Sequence, residues 1–558
     1  MVLSLSLVLI SPCARTSDQK QAAPDGQSAA RKTLASPTIT NTLRRELFSE
    51  PKYLNPVISN DANASMVERL IFDSMIDIDK SQDSNLIPRL AEKWEIIDQG
   101  RIYIFHLRSD VYWHDGKPFT AEDVKFSFDT ALRKDIPAFS LASLEGILKS
   151  VELCDRHTIR FIFNYPFSPG LSTIGTTNIV PKHLLDEAGL ARETRKRNLV
   201  KPVTFLTSEF NRKPVGTGPY RVHQWQSGRE ISLVASQNYW DKAHQPRISK
   251  VVIKFVPNRT LGFNMIQKGE LDVFNTRPNQ YLQFMRMKHL HQEYQALTFF
   301  ESKYFYIGWN MRSNRKFFYD SKVRRAMTLA LDRNSIIDKA FFGLGKQITG
   351  PFYFKSWAYN PQIQPLPYDV EKAARLLKEA GWSDHDGDGL LDREGVHFEF
   401  ELLVPAGSQS LAQLGAIVQA DLKKLSIEVH LTNLEWNLYL ERLQAGNFDA
   451  CVGGWYIGAD PDIYSLWHSS QIDKGNNFIA YANQAVDHLL EEGEREFERQ
   501  KRQKVYWKMH ALIHEDQPYT FVFTPKVSVI LARKIKNYDI SPFGLFEFFP
   551  GQLVWTLE

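Results

Sequence analysis

Short β-type runs separated by sharply capped helices constrain this chain more than any other feature. The runs "RIYIFHL" (101–107), "TIRFIF" (158–163), "ISLVAS" (231–236) and "KVVIKFV" (250–256) alternate with helical patterns, which predicts an α/β protein. One helix start is explicit. In "KPFTAEDVKFSFDTAL", Thr120 caps the amide of Asp123 while the Asp123 carboxylate returns the bond, and Val124, Phe128 and Leu132 follow at helical spacing. A second helix, "YDVEKAARLLKEAGW", places Val370, Ala373, Leu377 and Ala380 on one side and stops at Gly381. A third, "KVRRAMTLALDRNSII", is expected to turn Val323, Ala326, Met327 and Ala330 inward. At 558 residues the chain exceeds what one core supports, so two or three lobes are expected.

The balance of 68 basic against 64 acidic residues, +4 overall, argues against a dedicated nucleic-acid protein, which would carry a clustered basic face. The 12 Trp, 21 Tyr and 36 Phe suffice to line a large aromatic cavity as well as a core. At the N-terminus, "MVLSLSLVLISPC" is an apolar run far shorter than the ~20 residues that span a bilayer. Residues 1–13 therefore read as an export signal, and a cysteine closing the run is the arrangement of a lipoprotein signal, in which Cys13 is lipidated. Pro12 stands where a small residue is expected, and no Lys or Arg precedes the run, so a later start, another cleavage point or an incidental Cys13 stay open. Residues 14–39 lack apolar periodicity and read as a flexible tether. Cys154 and Cys451 are the other cysteines, expected as buried thiols rather than a bridge.

No catalytic constellation emerges. "DHDGDGLLD" (384–392) opens like a calcium loop, but its twelfth position is Gly395 instead of a bidentate Glu, so a tight Gly/Asp turn is the expectation and no metal is assigned. His510 and His514 stand four apart without the intervening Glu of a zinc protease, and an amphipathic surface is expected there. "GLGKQ" (343–347) lacks the leading glycine and the trailing Ser or Thr of a phosphate loop. The run "EEGEREFERQKRQK" mixes charges at helical spacing, as a solvated face does. Asp460 and Asp462, in "GGWYIGADPDIYSLWHSS" (453–470), have no acid/base partner nearby in the sequence. The chain reads as an exported binder without cofactor, not an enzyme.

"LRSDVYWHDGKPFTAEDVKFSFD" (107–129) resembles the most recognisable segment of the family 5 extracytoplasmic solute-binding proteins, the oligopeptide and dipeptide receptors of bacterial ABC importers. Further similar segments follow in the family's order: "YLNP" (53–56), "LIPRLAEKWE" (86–95), "VGTGPYRV" (215–222), "QKGELDV" (267–273), "VRRAMTLALDR" (323–333), "YDVEKAARLLKEAGW" (368–382) and "GNNFIAYANQAVDHLL" (475–490). In "VGTGPY", Gly216 and Gly218 are expected to supply backbone angles closed to other residues, ahead of the strand "YRVHQW".

The resemblance implies a two-lobed periplasmic-binding-protein fold of the type II, large peptide-binding kind, with three domains. Domain I is discontinuous (40–80, 206–300 and 523–558), domain II is 81–205 and domain III is 301–522. Crossings near 295–305 and 518–525 would act as the hinge. It implies a monomeric receptor in the periplasm or cell envelope that hands peptides to an inner-membrane permease. Ligand contacts are expected at "SEPKY" (49–53) and "GGWYIG" (453–458), through Glu50, Lys52, Gly454, Trp455 and Tyr456. Peptide receptors of the family carry an amine-binding aspartate where this chain has Gly458; either Asp460 takes over its role, or the ligand lacks a free amine there or binds in another frame. A non-peptide solute, such as a glycan fragment, a metal chelate or an opine-like compound, is the alternative.

Overall fold

A computed structural model of the chain describes residues 41–558 apart from 60, 82–84, 139–140, 142–143 and 313–316. Among the described residues the largest sheet has 12 strands and runs through both lobes. In the first lobe Thr42–Leu47 lies parallel to Lys250–Phe255, which continues antiparallel through Glu230–Ala235 to Tyr220–Gln226. In the second lobe Lys303–Trp309 pairs antiparallel with Ala450–Tyr456, and Glu399–Pro405 lies parallel to Glu428–Leu434. A separate four-stranded antiparallel sheet, Ala91–Ile97, Ile102–Leu107, Thr158–Phe163 and Leu148–Asp155, belongs to the first lobe. The fold is the α/β one anticipated, and all four quoted β-type runs are strands.

One strand ties the lobes together. The 14 residues of Tyr519–Ala532 pair with Lys303–Trp309 at one end and with Val273–Thr276 and Tyr294–Phe300 at the other. The second crossing is the two-residue step from Phe300 to Lys303. Buried apolar side chains divide accordingly. One cluster takes residues between Leu43 and Phe299 together with Val529 to Trp555, and two further clusters take residues between Tyr304 and Phe523. A chain pinched to two backbone crossings between separate cores is built to bend there.

The capping box at Thr120 forms as expected, its amide donating to Asp123 Oδ2 over 2.9 Å, while Val124 and Phe128 are buried. The "YDVEKAARLLKEAGW" helix ends at Glu379, and Gly381 follows with φ +84°. Three readings need correction. "KVRRAMTLALDRNSII" is two helices, Ser321–Ala330 and Arg333–Phe341, because Leu331 is extended and Asp332 caps the second by accepting from the Ser335 amide. Gly216 and Gly218 do not have positive φ; a Cβ on Gly216 would lie 1.8 Å from the Ile71 carbonyl oxygen, so close backbone approach is what demands glycine. The charged run is only partly a solvated face: most of it is exposed, but the helices Gln484–Arg495 and Arg499–Asp516 meet there and bury Glu494 and Arg502.

Candidate functional site

The strand Ala450–Tyr456 has an unequal pair of edges. Along one side it pairs with Lys303–Trp309 over its whole length, whereas on the other Glu399–Pro405 accompanies it only at Ala450 and Cys451. The Ile457 amide donates to Ser302 O over 2.8 Å, on the fully paired side. By the alternation of strand amides, the N–H and C=O of Gly454 and Tyr456 then face the edge left without a neighbouring strand. Gly454 and Tyr456 are exposed, and Trp455 is half-buried. Trp455 belongs partly to the core: its ring runs parallel to Phe478 at 6.0 Å, and its Nε1 donates to the Tyr519 hydroxyl over 3.4 Å. Gly453 is small for a packing reason, since a Cβ there would come within 2.5 Å of the Tyr306 ring, itself stacked on Tyr519.

Beside this edge, at the crossing of the lobes, lies a cleft of about 550 Å³ whose wall includes Tyr456, Glu301, Lys303, Arg277, Lys526 and Glu547. That volume falls in the range of small-ligand pockets, roughly 300–1,000 Å³. Lys303 Nζ stands 3.2 Å from the Tyr456 hydroxyl and 3.6 Å from Glu301. Burial works against its ammonium, but Glu301 and Tyr456 outweigh it and hold the pKa above the usual lysine value. Burial among protein atoms likewise pushes the Glu547 carboxyl above the usual range, against the pull of Arg69.

The remaining expected contacts fall elsewhere. Glu50 is bound within the first lobe, its carboxylate accepting from Arg212, Trp225 Nε1, Ser227 and the Gly228 amide. Partial burial opposes ionisation there, yet these donors hold its pKa below the usual range. Lys52 is exposed, its ammonium 5.0 Å from the Tyr53 ring. Asp460 does not present a free carboxylate. Arg502 takes both its oxygens, at 2.6 and 2.7 Å, so the expected substitute anchor already has its cation. Arg502 also donates to Gly493 O and the Tyr506 hydroxyl. Gly458 is open, with only the Asp460 carbonyl near a would-be Cβ, at 3.5 Å.

The other motifs resolve into architecture. In "DHDGDGLLD" the Asp384 carboxylate accepts from the Gly387 and Gly389 amides and Asp392 from the His385 amide, which makes the expected turn. Asp386 and Asp388 lie with His397 in one exposed cluster. His510 is no surface residue: it is fully buried, accepts from the Asn360 amide at Nδ1 and faces Thr349 Oγ1 at 3.0 Å, and burial pushes its pKa down to about 3. No disulfide joins Cys154, which is half-buried, to the buried Cys451. Cys13 lies outside the described residues. Among those residues no helix is long and apolar enough to cross a membrane. The residues missed by sequence reasoning are Arg277, Glu301, Lys303, Lys526 and Glu547, which fall in four separate segments with no motif around any of them.

Two lobes, two crossings and a charged cleft at the crossing define a binding protein of the hinge-bending class. Residues 85–477 match the family described as bacterial extracellular solute-binding proteins, family 5 middle, and the chain belongs to that family. The oligopeptide-binding protein AppA of Bacillus subtilis is 31% identical over 548 residues, 97% of this chain and 96% of that protein. The structure of that AppA in complex with a nonapeptide aligns with a TM-score of 0.75 over 93% of this chain and 99% of its own. Heme-binding protein A of Haemophilus influenzae is 28% identical, covering 98% of each chain. DppA, an ABC transporter-associated periplasmic binding protein of Helicobacter pylori in complex with the peptide STSA, is 25% identical with a TM-score of 0.74, over 93% of this chain and 98% of its own.

Proposed function

We propose that this chain is the extracytoplasmic receptor of an ABC importer, capturing peptides between its lobes by hinge closure and delivering them to a membrane permease. The observation that carries the reading is the open edge at Gly454 and Tyr456, beside the cleft. An extended peptide laid along that edge gains main-chain hydrogen bonds whatever its side chains, which is how strand addition combines affinity with tolerance of sequence. The similarity to AppA and DppA supports the same reading. Closure follows when a ligand touches both lobes, because only contacts made in the closed state shift the equilibrium.

The assignment of 40–80, 206–300 and 523–558 to domain I, 81–205 to domain II and 301–522 to domain III belongs to this proposal; the apolar clusters support its division near residues 300 and 523, while domains I and II share one cluster. Residence in the periplasm or cell envelope, an anchor through Cys13 and action as a monomer belong to the same proposal. Glu50 and Lys52 act in it through the backbone of their segment, since the Glu50 carboxylate is engaged inside its lobe. A non-peptide ligand is the second reading, favoured by the bare position at Gly458 and by the similarity to heme-binding protein A.

A thermal-shift screen with di- to penta-peptides, glycan fragments, metal chelates and hemin separates the two readings. A peptide at a hundred times its Kd is expected to stabilise the protein by about 2.7 kcal/mol. A melting curve moved by hemin, a glycan or a chelate and by no peptide replaces the first reading with the second.

A further inference from the structure

The lobes touch again away from their two backbone crossings. The first lobe offers Gly100, with φ +91°, and the loop 165–168, which are held to each other by the Phe167 amide donating to the Gly100 carbonyl over 3.3 Å. The second lobe offers the junction of the helices Gln484–Arg495 and Arg499–Asp516. There the Phe497 ring lies over Gly100 where a Cβ would stand, and the Glu494 carbonyl accepts from the Ser168 amide over 2.6 Å. No backbone crosses at this contact, so it can part while the crossings at 300–303 and 519–532 hold.

Behind the contact the second lobe carries more acid than it pairs. Arg502 donates to both oxygens of Asp460 and turns its other donors to Gly493 O and the Tyr506 hydroxyl. Asp462 and Glu494 form no salt bridge among the described residues. Arg502 acts on both and Arg495 on Glu494 only at longer range, and they are opposed by Asp460 beside Asp462 and by Asp462 and Glu491 beside Glu494. Tyr464 faces Glu494 from the second lobe and Tyr506 faces Asp462. The first lobe sets only phenols against this group: Tyr103, whose hydroxyl already donates to Phe167 O over 2.7 Å, and Tyr165, whose ring lies 6.0 Å from the Arg495 guanidinium. A carboxylate enclosed by phenols and other carboxylates loses water without gaining a paired cation, which favours its neutral form. Burial accordingly pushes Asp462 up to about 6 and Glu494 up to about 8.

We propose that this contact is a proton-operated latch: the lobes close on Gly100 and Ser168 when Asp462 and Glu494 take up protons, and part when the two carboxylates ionise. Parting admits water to both groups and returns them toward ordinary carboxylate behaviour. Because closure takes up protons, the closed form is favoured as pH falls and is lost as pH rises through the window that ends at about 8. An acidic medium thus favours capture and a neutral one release. The latch needs the hinge and no particular ligand, so it stands or falls separately from the peptide reading.

Small-angle X-ray scattering from the purified full chain without ligand, at about pH 5.5 and about pH 8, tests the latch within that window. The wild type is expected to show the smaller radius of gyration at the lower pH. Asp462→Asn combined with Glu494→Gln keeps both groups neutral and should stay compact at either pH. Phe497→Ala, at a partly exposed position where the fold is not at risk, removes the ring from Gly100 and should stay expanded at either pH. A wild-type radius that ignores pH overturns the latch, and so does a pH-dependent radius that survives in either variant.

Discussion

Two acidic regions stand at the junction of the lobes, and they are built oppositely. Around Glu547 and Glu301 the carboxylates border an open cleft: Glu301 faces Lys303, whereas Glu547 forms no salt bridge and feels Arg45 and Arg69 only at longer range. Around Asp460, Asp462 and Glu494 the carboxylates are closed in behind a contact between the lobes. There the Ser168 amide donates to the Glu494 carbonyl over 2.6 Å, and the Phe497 ring covers Gly100 so tightly that a Cβ would lie 1.9 Å from it. In that second group the Arg502 guanidinium pairs with Asp460. The difference teaches where charge is available to a ligand: an acid already paired and sealed supports the frame, whereas an unpaired acid on a cavity wall can recognise.

The sharpest break of this comparison is Arg502→Met. It leaves Asp460 buried without its cation, and breaking a buried pair from one side costs about 3–5 kcal/mol. Urea unfolding should show a loss of that order, with trialanine affinity little changed for whatever fraction stays folded. Glu547→Gln should cost far less, because Glu547 forms no salt bridge and Arg45 and Arg69 act on it only at longer range. Equal stability losses in the two variants would erase the distinction between the regions.

Protonation offers a second way in. Glu494 is pushed up to about 8, by burial first and by Asp462 second, and Asp462 up to about 6, by burial first and by Asp460 second. Arg495, Arg502 and Glu491 also face Glu494, and Tyr165 approaches from the first lobe. For a carboxyl whose folded pKa is raised, the folded form holds more protons than the unfolded one between the two values, so stability falls as pH rises through that window. The window here runs from the ordinary glutamate value, about 4.3, to about 8. The melting temperature should therefore decline from pH 5 to pH 8, by ~2 °C or more for a chain of this length. Glu494→Gln should flatten the decline. An unchanged slope in that variant would place the titrating group elsewhere.

The framework was legible in the sequence because its signals are local. Thr120 and Asp123 announce a capping box within four residues, and an Asp-Gly pair turns the chain at Gly116, with φ +85°. The strand that would offer its edge was also readable, through the likeness of "GGWYIG" to the family pattern. What the sequence hid is long-range. Gly216 looked like a conformational glycine, yet its reason is a carbonyl at Ile71, far away in the chain. Asp460 looked free because Arg502 is 42 residues distant and sits within a run that reads as solvated. The wall of the cleft gathers Arg277, Lys303, Lys526 and Glu547 from separate strands, helices and loops, and no spacing rule connects them.

The mildest probe puts a carboxylate where this chain has none. The Gly458 backbone lies outside the left-handed region, and a Cβ would meet only the Asp460 carbonyl, at an ordinary 3.5 Å. Gly458→Asp should therefore change stability by less than about 0.5 kcal/mol. Its effect on binding separates two geometries. If a peptide lays its amine beside the strand Ala450–Tyr456, the new carboxylate should tighten trialanine by about threefold or more, the scale of a solvent-exposed charge pair. Unchanged affinity would mean that the amine lies elsewhere in the cleft.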